Sequence, residues 1–327
     1  MLMAAVCLAG CRGADSQRPA TRVWQHGSWR AIGAVITDTA IVHAPFSMAV
    51  GPGALYLFNG GRTIVAVAPD GHAQWRYAPA DSMRFDDDSS VSIAADSTGR
   101  VYAADLSGGR ITVLSPLGRV ERVFRIHNRP HVAPRGDGWF WGASLLGASP
   151  ALFDTAGLRF LSLRLPATLG ATPYSRGDAR LALAHDTLVV GYMWAGHFLI
   201  VTGTPPAARD VPSIEPLPIG TFHQRSVTVG GQVIQAYRAD STDQPATLSM
   251  AVSGGLIYAL YWNRAGPSED RRRTLDIYDL HAGTYVGSRR LPLPTREIAM
   301  RGDTLYALTS DGVLYSWQWT DSVTAAR

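Results

Sequence analysis

No lysine occurs anywhere in the 327 residues, and all 30 basic residues are arginine. That excludes a Schiff-base lysine, a lysine general base and a G-x-x-x-x-G-K phosphate loop. Cysteine is nearly as scarce, with Cys7 and Cys11 the only two. The body of the chain therefore carries no disulfide framework, and a domain of about 300 residues buries enough surface to do without one. Charged residues make up only 17% of the chain, with a formal net charge of +4. No basic stripe interleaved with aromatics runs through it, so nucleic acid is not an expected partner. The one triplet, Arg271-Arg272-Arg273, follows Pro267-Ser268-Glu269-Asp270 and reads as a solvated loop of mixed charge. Beyond the first residues, no stretch approaches the roughly 20 apolar residues that span a bilayer.

What the chain does have is 46% hydrophobic residues with 33 Gly and 20 Pro, the composition of a turn-dense globular protein with a large core. The body repeats. Phe46-Ser47-Met48-Ala49-Val50, Leu55-Tyr56-Leu57-Phe58 and Thr63-Ile64-Val65-Ala66-Val67, closed by Pro69-Asp70-Gly71, recur as Val91 to Ala95, Val101 to Asp105, Ile111 to Leu114 and Pro116-Leu117-Gly118. From Tyr56 to Tyr102 is 46 residues, and from Tyr258 to Tyr306 is 48. Such a period signals propellers or solenoids. Each segment is short, rich in β-branched and aromatic types and bounded by turn residues, the pattern of strands and hairpins. No segment sustains a helical period of apolar residues.

A four-stranded unit cannot cover both of its faces, so neighbouring units stack, and closing the stack into a ring leaves few exposed edges. The expected fold is all-β, a propeller of six blades over residues 23–327. The sixth unit has only three strands before the carboxyl terminus, so the strand-like segment Ser28 to Ile36 is expected to supply the missing outer strand and latch the ring. Val190 to Tyr258 spans 68 residues, longer than the period. An extended hairpin is expected there, from Ser226-Val227-Thr228-Val229 and Gln232 to Tyr237, with a degenerate seventh blade as the alternative.

The first ten residues form an apolar run ending in small residues, the late part of a secretory signal. Leu8-Ala9-Gly10-Cys11 resembles the bacterial lipobox, after which signal peptidase cuts and a lipid is attached to the new terminal cysteine. The run is short and lacks a basic leading segment, as a start codon assigned too late would leave it. The resemblance implies a signal at residues 1–10, a lipidated Cys11 and a polar, Pro-containing tether over residues 11–22. It also implies export to the periplasmic or outer-membrane face, with the lipid as the membrane contact.

Gly99-Arg100-Val101-Tyr102-Ala103-Ala104-Asp105, followed by Gly109-Arg110-Ile111-Thr112-Val113 and Gly118, resembles the NHL repeat. The match is good for this blade, partial for the first and fifth, and poor elsewhere. It implies a six-bladed propeller in which Asp105 and Arg110 form a blade-stabilising pair.

Chemistry is sparse. His127 and His131 have metal-ligand spacing only on a helix, which Pro130 opposes, and they read as loop residues near one rim. Asp86-Asp87-Asp88 lacks the alternating pattern of a calcium loop and reads as a solvated turn. No metal and no cofactor is expected. Aromatic residues close several second strands, where Trp, Tyr and Arg suit a recognition surface. The candidate ligand-binding rim is Trp194, His197, Trp262, Arg264 and His131, while Trp139, Trp141 and their like fill the space between blades. The expected function is a non-catalytic binding module for a protein, peptide or glycan. The alternative is a metal-dependent lactonase- or lyase-like enzyme, which resembling propellers also host, with a channel site drawn from Asp96, Asp105, Asp137 and His185.

Overall fold

Residues on both faces are apolar along the second and third strands of the repeat, so every sheet must be covered on two sides. In the computed structural model, the described residues are 21–32, 45–81, 84–86, 91–126, 131–143, 149–154, 156–163, 179–215, 222–229, 232–239, 245–262 and 267–321. They form six four-stranded antiparallel sheets and one two-stranded sheet. Blade 1 runs from its inner to its outer strand as Ser47–Val50, Leu55–Asn59, Thr63–Val67 and Ala73–Tyr77. The inner strands of blades 2 to 6 are Val91–Ala95, His131–Pro134, Ala179–Ala184, Thr247–Ser253 and Thr295–Arg301.

Six apolar clusters fill the six spaces between blades. On the second strand of blade 1, Tyr56 and Phe58 point to blade 2, packing with Val91, Ile93, Val101 and Ala103. Leu55 and Leu57, one residue out of phase, point to blade 6 and pack with Leu308 and Leu314. That last cluster joins the final blade to the first, so the ring is closed. The strand period of two thus serves both neighbours at once. Trp141, Tyr192 and Leu199 share the space between blades 3 and 4, as expected of aromatics in the inner halves of these strands. At the turn closing the third strand of blade 2, Gly118 has φ +75° and lies so close to Trp75 that a Cβ would meet its ring at 2.6 Å. Only glycine fits there.

The ring is latched as expected. Gly27–Ala31 pairs antiparallel with Leu314–Asp321, from Gly27 opposite Asp321 to Ala31 opposite Trp317, and forms the outer strand of blade 6. The strand is shorter than the segment read from the sequence, whose residues 33–36 lie outside the described residues. The described residues also take in Arg22, at the end of the segment read as a tether. Its Nε and Nη2 donate to the two oxygens of Asp276 at 2.9 and 3.0 Å, Nη1 contacts Glu215, and the guanidinium lies 4.5 Å from the centre of the Tyr261 ring. Burial alone would lower the pKa of Arg22, but the Asp276 and Glu215 carboxylates override it and hold the guanidinium charged. The first strap of chain is therefore fastened to blade 5 before it completes blade 6.

The long gap after blade 4 holds a hairpin, Phe222–Val229 with Gln232–Ala239, in a sheet of its own. Among the described residues there are six blades and no seventh. Blade 3 differs from the sequence reading. His131–Pro134 is its inner strand, not a linking loop. Pro134 is tolerated because an inner strand has a free edge on the channel side, where a missing N–H disrupts no ladder. No described helix is long and apolar enough to cross a membrane.

Candidate functional site

Inner strands leave one edge unpaired, and six such edges surround the channel. Their backbone groups need partners. The repeat supplies them from side chains: Ser47 Oγ of blade 1 accepts the N–H of Ile93 in blade 2 at 3.3 Å. Ser249 Oγ of blade 5 accepts the N–H of Ile298 in blade 6 at 3.0 Å. In blade 6 the same column holds Glu297, whose Oε1 accepts the N–H of Met48 at 3.2 Å and the hydroxyl of Ser47 at 3.1 Å. In blade 4 it holds Arg180, whose Nε donates to the carbonyl of Leu248 at 2.8 Å. Side chains that each reach to the next blade thus stitch the inner strands of blades 4, 5, 6, 1 and 2 together.

The channel encloses about 380 Å³ and is lined by all six inner strands. Among the described residues its charged groups are Arg180, Arg296 and Glu297, with His131 beside them. Arg180 Nη1 donates to His131 Nε2. Glu297 is half-buried in the channel wall. Burial pushes its pKa up to about 7, against the opposing pull of its two hydrogen bonds and of Arg180 and Arg296. Burial lowers the pKa of Arg296. Its guanidinium carbon lies 5.6 Å from the centre of the Phe46 ring, and its Nε and Nη2 are buried without a hydrogen-bond partner.

These groups sit at the end of the ring where the inner strands begin, the front face. Second strands end there, because each pairs antiparallel with its inner strand: His131 faces Ala143, Ala179 faces Tyr192 and Thr247 faces Tyr261. The candidate rim residues follow from that register. His131 opens an inner strand, Trp194 lies in the turn after Tyr192, His197 opens the next strand, and Trp262 directly follows Tyr261. All four are on the front face. His131 is not a loop residue but a half-buried one in the channel wall. His197 Nδ1 bonds Asp210 Oδ1 at 3.0 Å. Trp262 carries the guanidinium of Arg272 over its ring at 4.2 Å, and Arg272 Nη1 donates to Ser310 Oγ at 3.0 Å. Arg264, His127 and Cys11 lie outside the described residues.

The residues weighed for an enzyme site are elsewhere. Asp96 caps its own turn, accepting from the N–H groups of Thr98 and Arg100 at 2.8 and 3.0 Å. Asp105 pairs with Arg110 at 3.2 Å and accepts from Gly108 N–H. Asp137 and His185 occupy turns on the opposite face. None lines the channel. Glu297, Arg296 and Arg180 escaped the sequence reading. Superposing the repeats would have found two of them, since Glu297 and Arg180 stand in the column that holds Ser47, Ser92 and Ser249.

No protein-family model matches the chain, and no curated protein does. Solved structures do. Virginiamycin B lyase from Staphylococcus aureus is similar over 89% of this chain and 99% of its own, at 11% identity and a TM-score of 0.54. The RRP9 WD40 repeats are similar over 90% of this chain and 100% of their own, at 11% identity and a TM-score of 0.56. At such identity the likeness shows a shared β-propeller fold and nothing of function.

Proposed function

We propose that the chain is an exported, lipid-anchored and non-catalytic propeller that binds a protein, peptide or glycan through its front face. The observation that carries this is the convergence on one face of the channel mouth, the Trp262–Arg272 stack, Trp194 and the His197–Asp210 pair. Partly exposed Trp and Arg beside a concave, polar centre suit recognition. Among the described residues the channel wall offers a single carboxylate, Glu297, and no group of three metal-ligating side chains is found. The Asp105–Arg110 pair supports the NHL-like reading of blade 2. Leu8-Ala9-Gly10-Cys11 supports the anchor, and an extended segment from Cys11 to Arg22 reaches roughly 35–40 Å.

Two measurements test this. Cells labelled with a palmitate analogue are expected to label the chain, and Cys11→Ala is expected to abolish the label and move the chain from the membrane to the soluble fraction. An unlabelled wild-type chain sinks the anchor. A photo-crosslinking residue at Trp262 is expected to trap a partner, whereas one at Leu117, 72% exposed on the opposite face, is expected to trap none. The reverse pattern assigns the wrong face.

A further inference from the structure

Arg296 lies at the channel mouth with its Nε and Nη2 unpartnered. These two nitrogens form one edge of the guanidinium, from which two parallel N–H bonds leave. That edge matches the two oxygens of a carboxylate. The same protein shows the match: Arg22 presents its Nε and Nη2 to Asp276 and fills both bonds. Among the described residues Arg296 has no such partner. The carboxylate next to it, Glu297, is turned to Ser47 and Met48, and Arg272, near enough to be felt, has the same charge. A buried cationic edge left unpaired is unfavourable unless an acceptor occupies it.

The surroundings favour a small anion. Arg180 and His131 line the same channel. Phe46, whose ring centre lies 5.6 Å from the guanidinium carbon, is 36% exposed, so the guanidinium sits close to the rim. A singly charged acceptor suits the place better than a dianion, which would oppose Glu297. We propose that the channel mouth binds a carboxylate-bearing ligand, whose two oxygens accept hydrogen bonds from Nε and Nη2 of Arg296. The site lies on the face proposed for recognition and adds the ligand's chemistry to that reading. It requires neither the lipid anchor nor a protein partner.

The test is the melting temperature of the full-length chain in detergent at pH 6.5, with 100 mM sodium acetate against sodium chloride of equal ionic strength. A ligand that binds only the folded state raises it, and a rise of about 2–3 °C is expected for millimolar affinity. Arg296→Met removes an unpaired buried charge, so it is expected to fold at least as stably as the wild type and to lose the rise. Arg296→Lys keeps the charge without the paired edge and is expected to lose most of it. No rise in the wild type, or an equal rise in Arg296→Met, overturns the proposal. A rise with phosphate but none with acetate overturns the carboxylate assignment. Because the probe is acetate alone, failure here is separate from failure of the crosslinking at Trp262.

Discussion

Replacing Arg22 with alanine is expected to lower the unfolding free energy by about 3–5 kcal/mol, the usual cost of leaving one partner of a buried ion pair behind. The side chains of Arg22 and Asp276 are 7% and 3% exposed. Without the guanidinium, Asp276 keeps only the hydroxyl of Ser288, at 2.5 Å, inside a cluster closed by Tyr285. Glu215 is more exposed and loses little. The backbone of the strap is bound just beyond, where Gln25 N–H donates to Ser288 O and Ser288 N–H to Val23 O, both at 2.8 Å. Loosening Arg22 therefore weakens the seating of the strand that caps blade 6, and an uncapped blade exposes a pairing edge. The measurement is the urea midpoint at constant slope. The pair Arg22→Met with Asp276→Leu is expected to recover most of the loss, because no charge is then stranded. A drop under about 1 kcal/mol for Arg22→Ala means the ion pair does not hold the latch.

The latch was half legible in the sequence. A three-stranded last unit and a strand-like segment near the amino terminus call for each other, and Gly27–Ala31 answers. Arg22 was not legible, because its partner lies 254 residues away and its neighbours are polar like those of any tether. Second and third strands could be read directly, since both of their faces are buried and their apolar runs are continuous, as in Thr63–Val67, whereas inner strands such as Ala179–Ala184 are half-buried along the channel and His131–Pro134 reads as a loop. Outer strands such as Val120–Arg125 are mostly exposed. Their sequence, Val-Glu-Arg-Val-Phe-Arg, alternates too weakly to stand out. The front-face aromatics were legible because they end second strands. The channel charges were not, because a Glu or Arg in one inner strand looks like noise until the Ser of the other blades is set beside it.

Glu297 gives that column a consequence that Ser cannot, a stability that falls as pH rises. Its pKa stands near 4.5 in the unfolded chain and is pushed up to about 7 by burial in the folded ring. Between those values the folded state binds more protons than the unfolded one, so the slope of unfolding free energy against pH is negative. Below about pH 4 the carboxyl is largely neutral in both states and carries little penalty. As pH rises to 7 and beyond, the folded ring must hold it ionised or protonated at a cost. The full shift corresponds to about 3 kcal/mol, and water in the channel reduces this to about 2 kcal/mol at pH 8. The groups that face it are the Ser47 hydroxyl and Met48 N–H from blade 1, Arg296 on its own strand, and Arg180 from blade 4, itself paired with His131. Glu297→Gln keeps Oε1 as the acceptor for both hydrogen bonds and never ionises. The variant is thus expected to match the wild type at pH 4 and to exceed it by about 2 kcal/mol at pH 8, measured as urea midpoints at the two pH values. Equal gains at both pH values mean that Gln packs better and titration plays no part. A loss at pH 8 means that the ionised carboxylate is held by Arg180 and Arg296 more strongly than its burial opposes it. The channel mouth would then be a salt-bridged core with no room for an anion beside Arg296.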